Sequence, residues 1–200
     1  MLPTKLKMSS KTVLQKMLHA REGAHVTRFH TFPIVNPQQA SVGLHTNNML
    51  QMMFLLIDEK HITPALTRFI LFHDSAFESI TSDISGGAKI EWPILKTVLS
   101  KIEEQINATW RLMPKTFTAD EAKICKALDM LELYIFLLEQ SSMGNNSKMV
   151  RELLPDARRY TIERMHGVKH LTSFSGDDID RVMRINIFVS KLLFEITGKT

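Results

Sequence analysis

The chain has 200 residues, 44% of them apolar and 23% charged, with 25 lysines and arginines against 21 acids and a formal net charge of +4. That length and balance fit one folded domain with its own core and exclude a disordered chain or a disulfide-stapled miniprotein. The mildly basic, evenly mixed charge permits an anionic ligand without calling for nucleic acid.

The one cysteine, Cys125, has no internal partner and falls in a helical pattern, which implies a buried thiol in a reducing, cytoplasmic setting. The start, "MLPTKLKMSSKTVLQKML", lacks the apolar stretch of a secretory signal, and no run reaches transmembrane length, so no membrane association is expected. From Gln38 to Ile57, Ala40, Leu44, Met49, Met52, Met53, Leu55 and Leu56 form one broad stripe behind the entrance "NPQQ". Thr63 and Pro64 open a second helix that is expected to end near Phe72. A glycine-containing turn leads to a helix from Trp92 to about Trp110, with Pro93 in its first turn.

"TADE" caps a further helix over Ala119 to Gln140, whose centre "ALDMLELYIFLLEQ" is apolar on nearly all sides and reads as the core element. "MGNNS" breaks it. Lys148 to about His166 follows, with Pro155 marking an expected kink. "SGDD" then caps an apolar-striped helix from about Asp177 to Ile196. Nothing alternates as a strand does, so the expected fold is a single all-α domain.

In such a fold the polar residues inside apolar helices carry the information. His45 sits between Leu44 and Met49, His73 and Asp74 follow "RFILF", and Asp129 interrupts "ALDMLELYIF". Each alone reads as a satisfied core residue or a helix cap. Together, two imidazoles and two carboxylates from three helices suit a borderline divalent ion (Mn²⁺, Co²⁺, Fe²⁺ or Zn²⁺) held between facing helices. Among the other histidines, His30 reads as a pocket-wall residue, and His19, His25, His61, His166 and His170 as surface or loop residues. Trp92 reads either as a base-pocket wall or as a helix-start cap. No phosphate-binding glycine loop, zinc knuckle or serine-nucleophile elbow is present.

The order H…HD…D resembles the HD phosphohydrolase superfamily, in particular its YfbR-like branch of 5′-deoxynucleotidases and the related phage dATP triphosphohydrolases. The likeness spans roughly residues 18 to 165 and rests on "TRFHTFPIVNPQQASVGLHT", "LFHDSAFESITSDISGGAK" and "ALDMLELYIFLLEQSSMGNN". It implies a helical HD-domain bundle in which His45, His73, Asp74 and Asp129 ligate a divalent ion (Co²⁺, Mn²⁺ or Zn²⁺) and Glu78 assists proton movement. Arg28 and Lys89 would then meet phosphate, Phe29 would wall the base or sugar, and Asp83 would read the sugar hydroxyl. Leu44 stands where the family has Glu, Phe29 where it has Trp, and Glu78 lies four residues after Asp74 instead of three.

The expected activity is metal-dependent release of a deoxynucleoside from a 5′-phosphorylated deoxynucleotide. A dNTP is favoured slightly over a dNMP because Arg28, Lys89 and Lys96 offer charge for extra phosphates. The alternative is a degenerate HD domain that binds nucleotide without turnover. The methionine-rich face and the apolar C-terminal helix, with the family's habit, imply a homo-oligomer.

Overall fold

A computed structural model describes residues 10–29, 34, 40–84 and 91–172. Lys89, His30, the "NPQQ" entrance and the helix expected over 177–196 lie outside the described residues. The described chain is an all-α bundle of six α-helices: α1 (Ser10–Ala24), α2 (Val42–Leu56), α3 (Pro64–Thr81), α4 (Pro93–Trp110), α5 (Ala119–Ser142) and α6 (Lys148–Gly167). Two short 3₁₀ turns, Glu59–His61 and Lys169–Leu171, complete it. None of the described helices is long and apolar enough to cross a membrane.

The helix starts are chemically enforced. Ser41, Thr63, Thr118 and Ser147 sit before α2, α3, α5 and α6, and each side-chain oxygen accepts an orphan backbone N–H three residues on. At α5 the Thr118 amide also donates to the Glu121 carboxylate, closing a capping box. Glu121 in turn accepts from the Thr63 hydroxyl. One buried carboxylate therefore fastens the start of α3 to the start of α5, the two helices that carry most of the candidate donors. Gly144, at φ +84°, supplies the left-handed turn that ends α5 and explains the break at "MGNNS".

α5 lies at the centre, burying Ile124, Leu128, Leu131, Tyr134 and Leu137 among Met49 and Met53 of α2, Leu66 and Ile70 of α3, and Val150 and Met165 of α6. The side chain of Thr161 donates to the Met130 carbonyl, joining α5 to α6. Pro155 lies inside an α6 that runs unbroken from Lys148 to Gly167, so the expected kink does not interrupt the helix.

Three further expectations are corrected. α3 does not stop at Phe72 but continues to Thr81, which places His73, Asp74 and Glu78 on one continuous helix. Of the α2 stripe, Met49 and Met53 are buried in the core and Met52 is partly buried against it, whereas Leu55, at 70% exposure, has left the stripe. The N-terminal segment, read only for a signal, forms α1. His19 on that helix is buried: its ring donates to the Ala76 carbonyl at 2.9 Å and stacks on Trp110. Its polar sequence neighbours concealed this, since the partners come from α3 and α4.

α1 and α3 approach so closely that Gly23 packs against the backbone of Ser75, and a Cβ at Gly23 would be driven into the Ser75 carbonyl. Gly23→Ala should therefore destabilise the fold by roughly 1–3 kcal/mol, the scale of overpacking. Denaturant unfolding of the purified variant measures this, and an unchanged midpoint would contradict the close approach.

Candidate functional site

Three helices, α2, α3 and α5, and the turn before α2 meet at one buried polar centre. His45 is on the buried face of α2 because Val42, Met49 and Met53, at helical spacing, turn that face inward. α3 brings Asp74 from one side and α5 brings Asp129 and Glu132 from the other. His45 Nδ1 donates to Glu132 Oε2 at 2.7 Å. This leaves Nε2 facing Asp74 Oδ2 at 3.2 Å and Asp129 Oδ1 at 3.6 Å, fully buried and without a well-directed hydrogen bond to either.

Arg28, in the turn between α1 and α2, places Nη1 3.2 Å from the same Glu132 oxygen, and Asn48 Nδ2 donates to Glu132 Oε1 at 3.3 Å. Glu132 and Asn48 were not among the residues singled out from sequence. Glu132 is one helical turn beyond Asp129 and shares its inward face, and that spacing was the signal available.

Electrostatics follow from this crowding. Burial and the Arg28 charge press His45 toward neutrality, but the close Asp74 carboxylate and the hydrogen bond to Glu132 outweigh them and push its pKa up to about 9. Burial would raise Asp74; the close approach of His45 and the hydrogen bond from His73 hold it well below the usual carboxylate range instead. Glu132 is likewise lowered, with the His45 hydrogen bond and charge overcoming burial. For Arg28 burial works against the charge, and Glu132, Asp129, Asp74 and Glu78 around it hold the guanidinium protonated.

Glu78 differs from these carboxylates. Burial first, then the charges of Asp74 and Asp83, push its pKa up to about 7, and Oε2 is buried without a hydrogen-bond partner. A carboxyl poised near neutrality beside ionised carboxylates is a usable proton carrier.

Beside these groups lies a cavity of about 470 Å³. Arg28, His73, Asp74, Glu78, Asp83, Lys126 and Asp129 supply its polar wall, and Phe69, Phe117, Met49 and Cys125 part of its apolar wall. Lys126 reaches toward Asp129 at 3.8 Å from an exposed position. The Cys125 thiol is pushed up to about 12, chiefly by burial, and so stays protonated.

The remaining expected site residues fall in different places. His73 turns Nδ1 to Asp74 Oδ1 at 2.7 Å and packs its ring on Phe69 and against the Phe77 edge. Asp83 Oδ2 accepts the Phe29 backbone N–H at 2.7 Å. The Phe29 ring stacks on Phe136 of the core, and Phe69 and Phe117, stacked on each other, provide the aromatic wall of the cavity instead. Lys96 is exposed on α4 and Trp92 is 62% exposed at its start; neither borders this cavity. Phe29 and Ser82 both have φ of 57°, an unfavourable value for residues with a side chain, on the two turns that Asp83 joins.

The donor set is compatible with a divalent cation, although among the described residues no three His, Cys, Asp or Glu side chains already close into a metal cage. An orphaned imidazole nitrogen between two carboxylates is the arrangement a borderline divalent ion satisfies. Five carboxylates (Asp74, Glu78, Asp83, Asp129 and Glu132) also outnumber the cationic side chains near them, Arg28, Lys126 and His45. Such a surplus in a partly dry space calls for a positive occupant. No protein-family model, no curated protein and no solved structure matches this chain.

The raised Glu78 pKa gives stability a direction with pH. Between its ordinary value near 4.5 and about 7 the folded protein keeps a proton that the unfolded chain has lost, so stability present below pH 4.5 is lost as pH rises through 7. With a chelator present, Glu78→Gln should remove this loss and gain roughly 2–3 kcal/mol relative to wild type between pH 5 and pH 8. Urea unfolding at the two pH values measures it. Parallel pH profiles for both proteins would show that Glu78 is ionised with its ordinary pKa.

Proposed function

We propose that the protein is an HD-type, metal-dependent phosphohydrolase that releases a deoxynucleoside from a 5′-phosphorylated deoxynucleotide, with a dNTP as its substrate. The observation that supports this reading is the convergence of the His45 Nε2 atom with Asp74 and Asp129 at 3.2 and 3.6 Å, beside a cavity that also holds Glu78 and Arg28. These are three of the four residues of the H…HD…D order, carried by α2, α3 and α5, and their proximity supports the reading.

In this reading His45, Asp74 and Asp129, with His73 completing the set, would hold the ion. When bound it would lower the pKa of a coordinated water and offset phosphate charge. The chain's own residues do the rest. Arg28 presents a planar fork to a phosphate oxygen from a position fixed by Glu132. Glu78, near neutrality in pKa, takes or gives the proton that the reacting phosphate centre exchanges with water. Lys126 at the rim, exposed and 3.8 Å from Asp129, supplies a second cation for phosphates beyond the first, and this supports a triphosphate as the substrate.

Phe69 and Phe117 offer flat apolar surface to the nucleoside. The oxygen of Asp83 not used by Phe29 remains to accept from a sugar hydroxyl. A homo-oligomer forms part of the proposal, and the exposed apolar side chains of α1, Val13, Leu14, Met17 and Leu18, are candidates for its contact.

A second reading, nucleotide binding without turnover, is favoured by the engagement of His73 Nδ1 with Asp74. One experiment separates the two: metal content together with nucleoside and phosphate release from a panel of dNMPs, dNTPs and their ribo counterparts. Phosphohydrolase function predicts release of deoxynucleoside that Asp129→Ala and His73→Ala abolish together with bound metal, since losing one ligand cripples such a site. Stoichiometric metal in Asp129→Ala would remove Asp129 from the ligand set. Nucleotide binding with no product from any substrate would establish the second reading.

A further inference from the structure

Among the described residues, Glu132 has more hydrogen-bond partners than any other carboxylate of the centre. Its Oε2 lies 2.7 Å from His45 Nδ1 and 3.2 Å from Arg28 Nη1, while Oε1 accepts from Asn48 at 3.3 Å. Its side chain is 9% exposed, so little water competes for these bonds. A single buried oxygen thus serves two groups with different tasks in the proposed site. The imidazole whose Nε2 points at Asp74 and Asp129 is one of them. The guanidinium on the cavity wall is the other.

The geometry has a directional consequence. An imidazole ring hydrogen-bonded through Nδ1 cannot rotate about its attachment without breaking that bond, and its second nitrogen then has one direction left. Metal-binding histidines are commonly oriented in this way by a carboxylate behind them. Arg28 is restrained similarly: a guanidinium anchored through one nitrogen keeps its other N–H groups available in a fixed plane.

We propose that Glu132 is the positioning residue of the site, aiming His45 Nε2 at the Asp74–Asp129 pair and holding Arg28 at the cavity wall through a shared oxygen. The metal-directed half of this rests on the function proposed above; the His45 restraint does not. Glu132 does not border the cavity itself, so its role is exerted through other residues.

The test uses the full chain and three proteins: wild type, Glu132→Leu, which removes the acceptor at similar size, and Glu132→Gln, which returns one acceptor oxygen without the charge. The first readout is proton NMR of the metal-free proteins with ¹⁵N-labelled histidine. Wild type should show a downfield, slowly exchanging His45 Nδ1–H resonance that Glu132→Leu loses and Glu132→Gln retains. The second is Mn²⁺ titration. Affinity should fall on the order of 10–100-fold in Glu132→Leu and recover partly in Glu132→Gln, with all three folded by circular dichroism.

If Glu132→Leu folds and binds Mn²⁺ as wild type does, or keeps the resonance, the proposal is overturned. Should Glu132→Leu fail to fold, Glu132→Gln decides: loss of the resonance overturns the proposal, and retention with weakened Mn²⁺ binding supports it. A wild-type protein that shows the resonance but binds no Mn²⁺ would overturn the metal reading and the metal-directed half while supporting the His45 restraint.

Discussion

Everything at the centre of this bundle depends on how one buried imidazole is satisfied. A histidine and several carboxylates have been withdrawn from water between α2, α3 and α5, and ionised groups in such a place are costly unless each finds a partner. The bond from His45 to Glu132 is the tightest of the links to that imidazole, and Arg28 and Asn48 complete the Glu132 shell. Around it the apolar residues of α5 shut out water, strengthening each remaining interaction. Among the described residues, the buried side-chain atoms left without a well-directed hydrogen bond are His45 Nε2, where it meets the two aspartates, Glu78 Oε2, and Oγ1 of Thr46, next to His45 on α2.

The helices were legible where the pattern was local. Caps such as Ser41, Thr63 and Thr118, and the apolar run of α5, identify their elements because they depend on residues a few positions apart. α3 was cut short because "HDSAFES" looks polar in isolation. The chain instead buries Ser75, Ala76 and Phe77 against α1 and α4, and that packing carries the helix on to Thr81. α1 escaped notice for the complementary reason. Its outer face exposes Leu14 and Met17, which blurs any amphipathic pattern, while Gly23 and His19 make the contacts that seat it.

The candidate site was legible as an order of residue types but not as a set of distances. His45, Asp74 and Asp129 come from segments far apart in sequence, and only their shared inward faces hinted at convergence. Glu132 was hidden by its setting within "ALDMLELYIF", where an acid at a core helix reads as an exception to be paired somewhere. Its partner is an imidazole 87 residues away, which no local spacing reports. Phe29 was misplaced for a similar reason: its neighbour Arg28 faces the cavity, and the positive φ of Phe29 sends its own ring into the core beside Phe136.

The hydrogen bond from the Phe29 amide to Asp83 ties together two turns that lie far apart along the chain. One turn carries Arg28, and the other follows the end of α3, four residues beyond Glu78. Both turns depend on a residue with a side chain adopting a conformation better suited to glycine, so neither is held in place by its own backbone preference. Their joint is therefore a hydrogen bond between two segments that both border the cavity, through Arg28 on one and Asp83 on the other. A displacement of Asp83 would be passed to the Arg28 turn through that bond, so the two cavity walls they carry shift together and not separately.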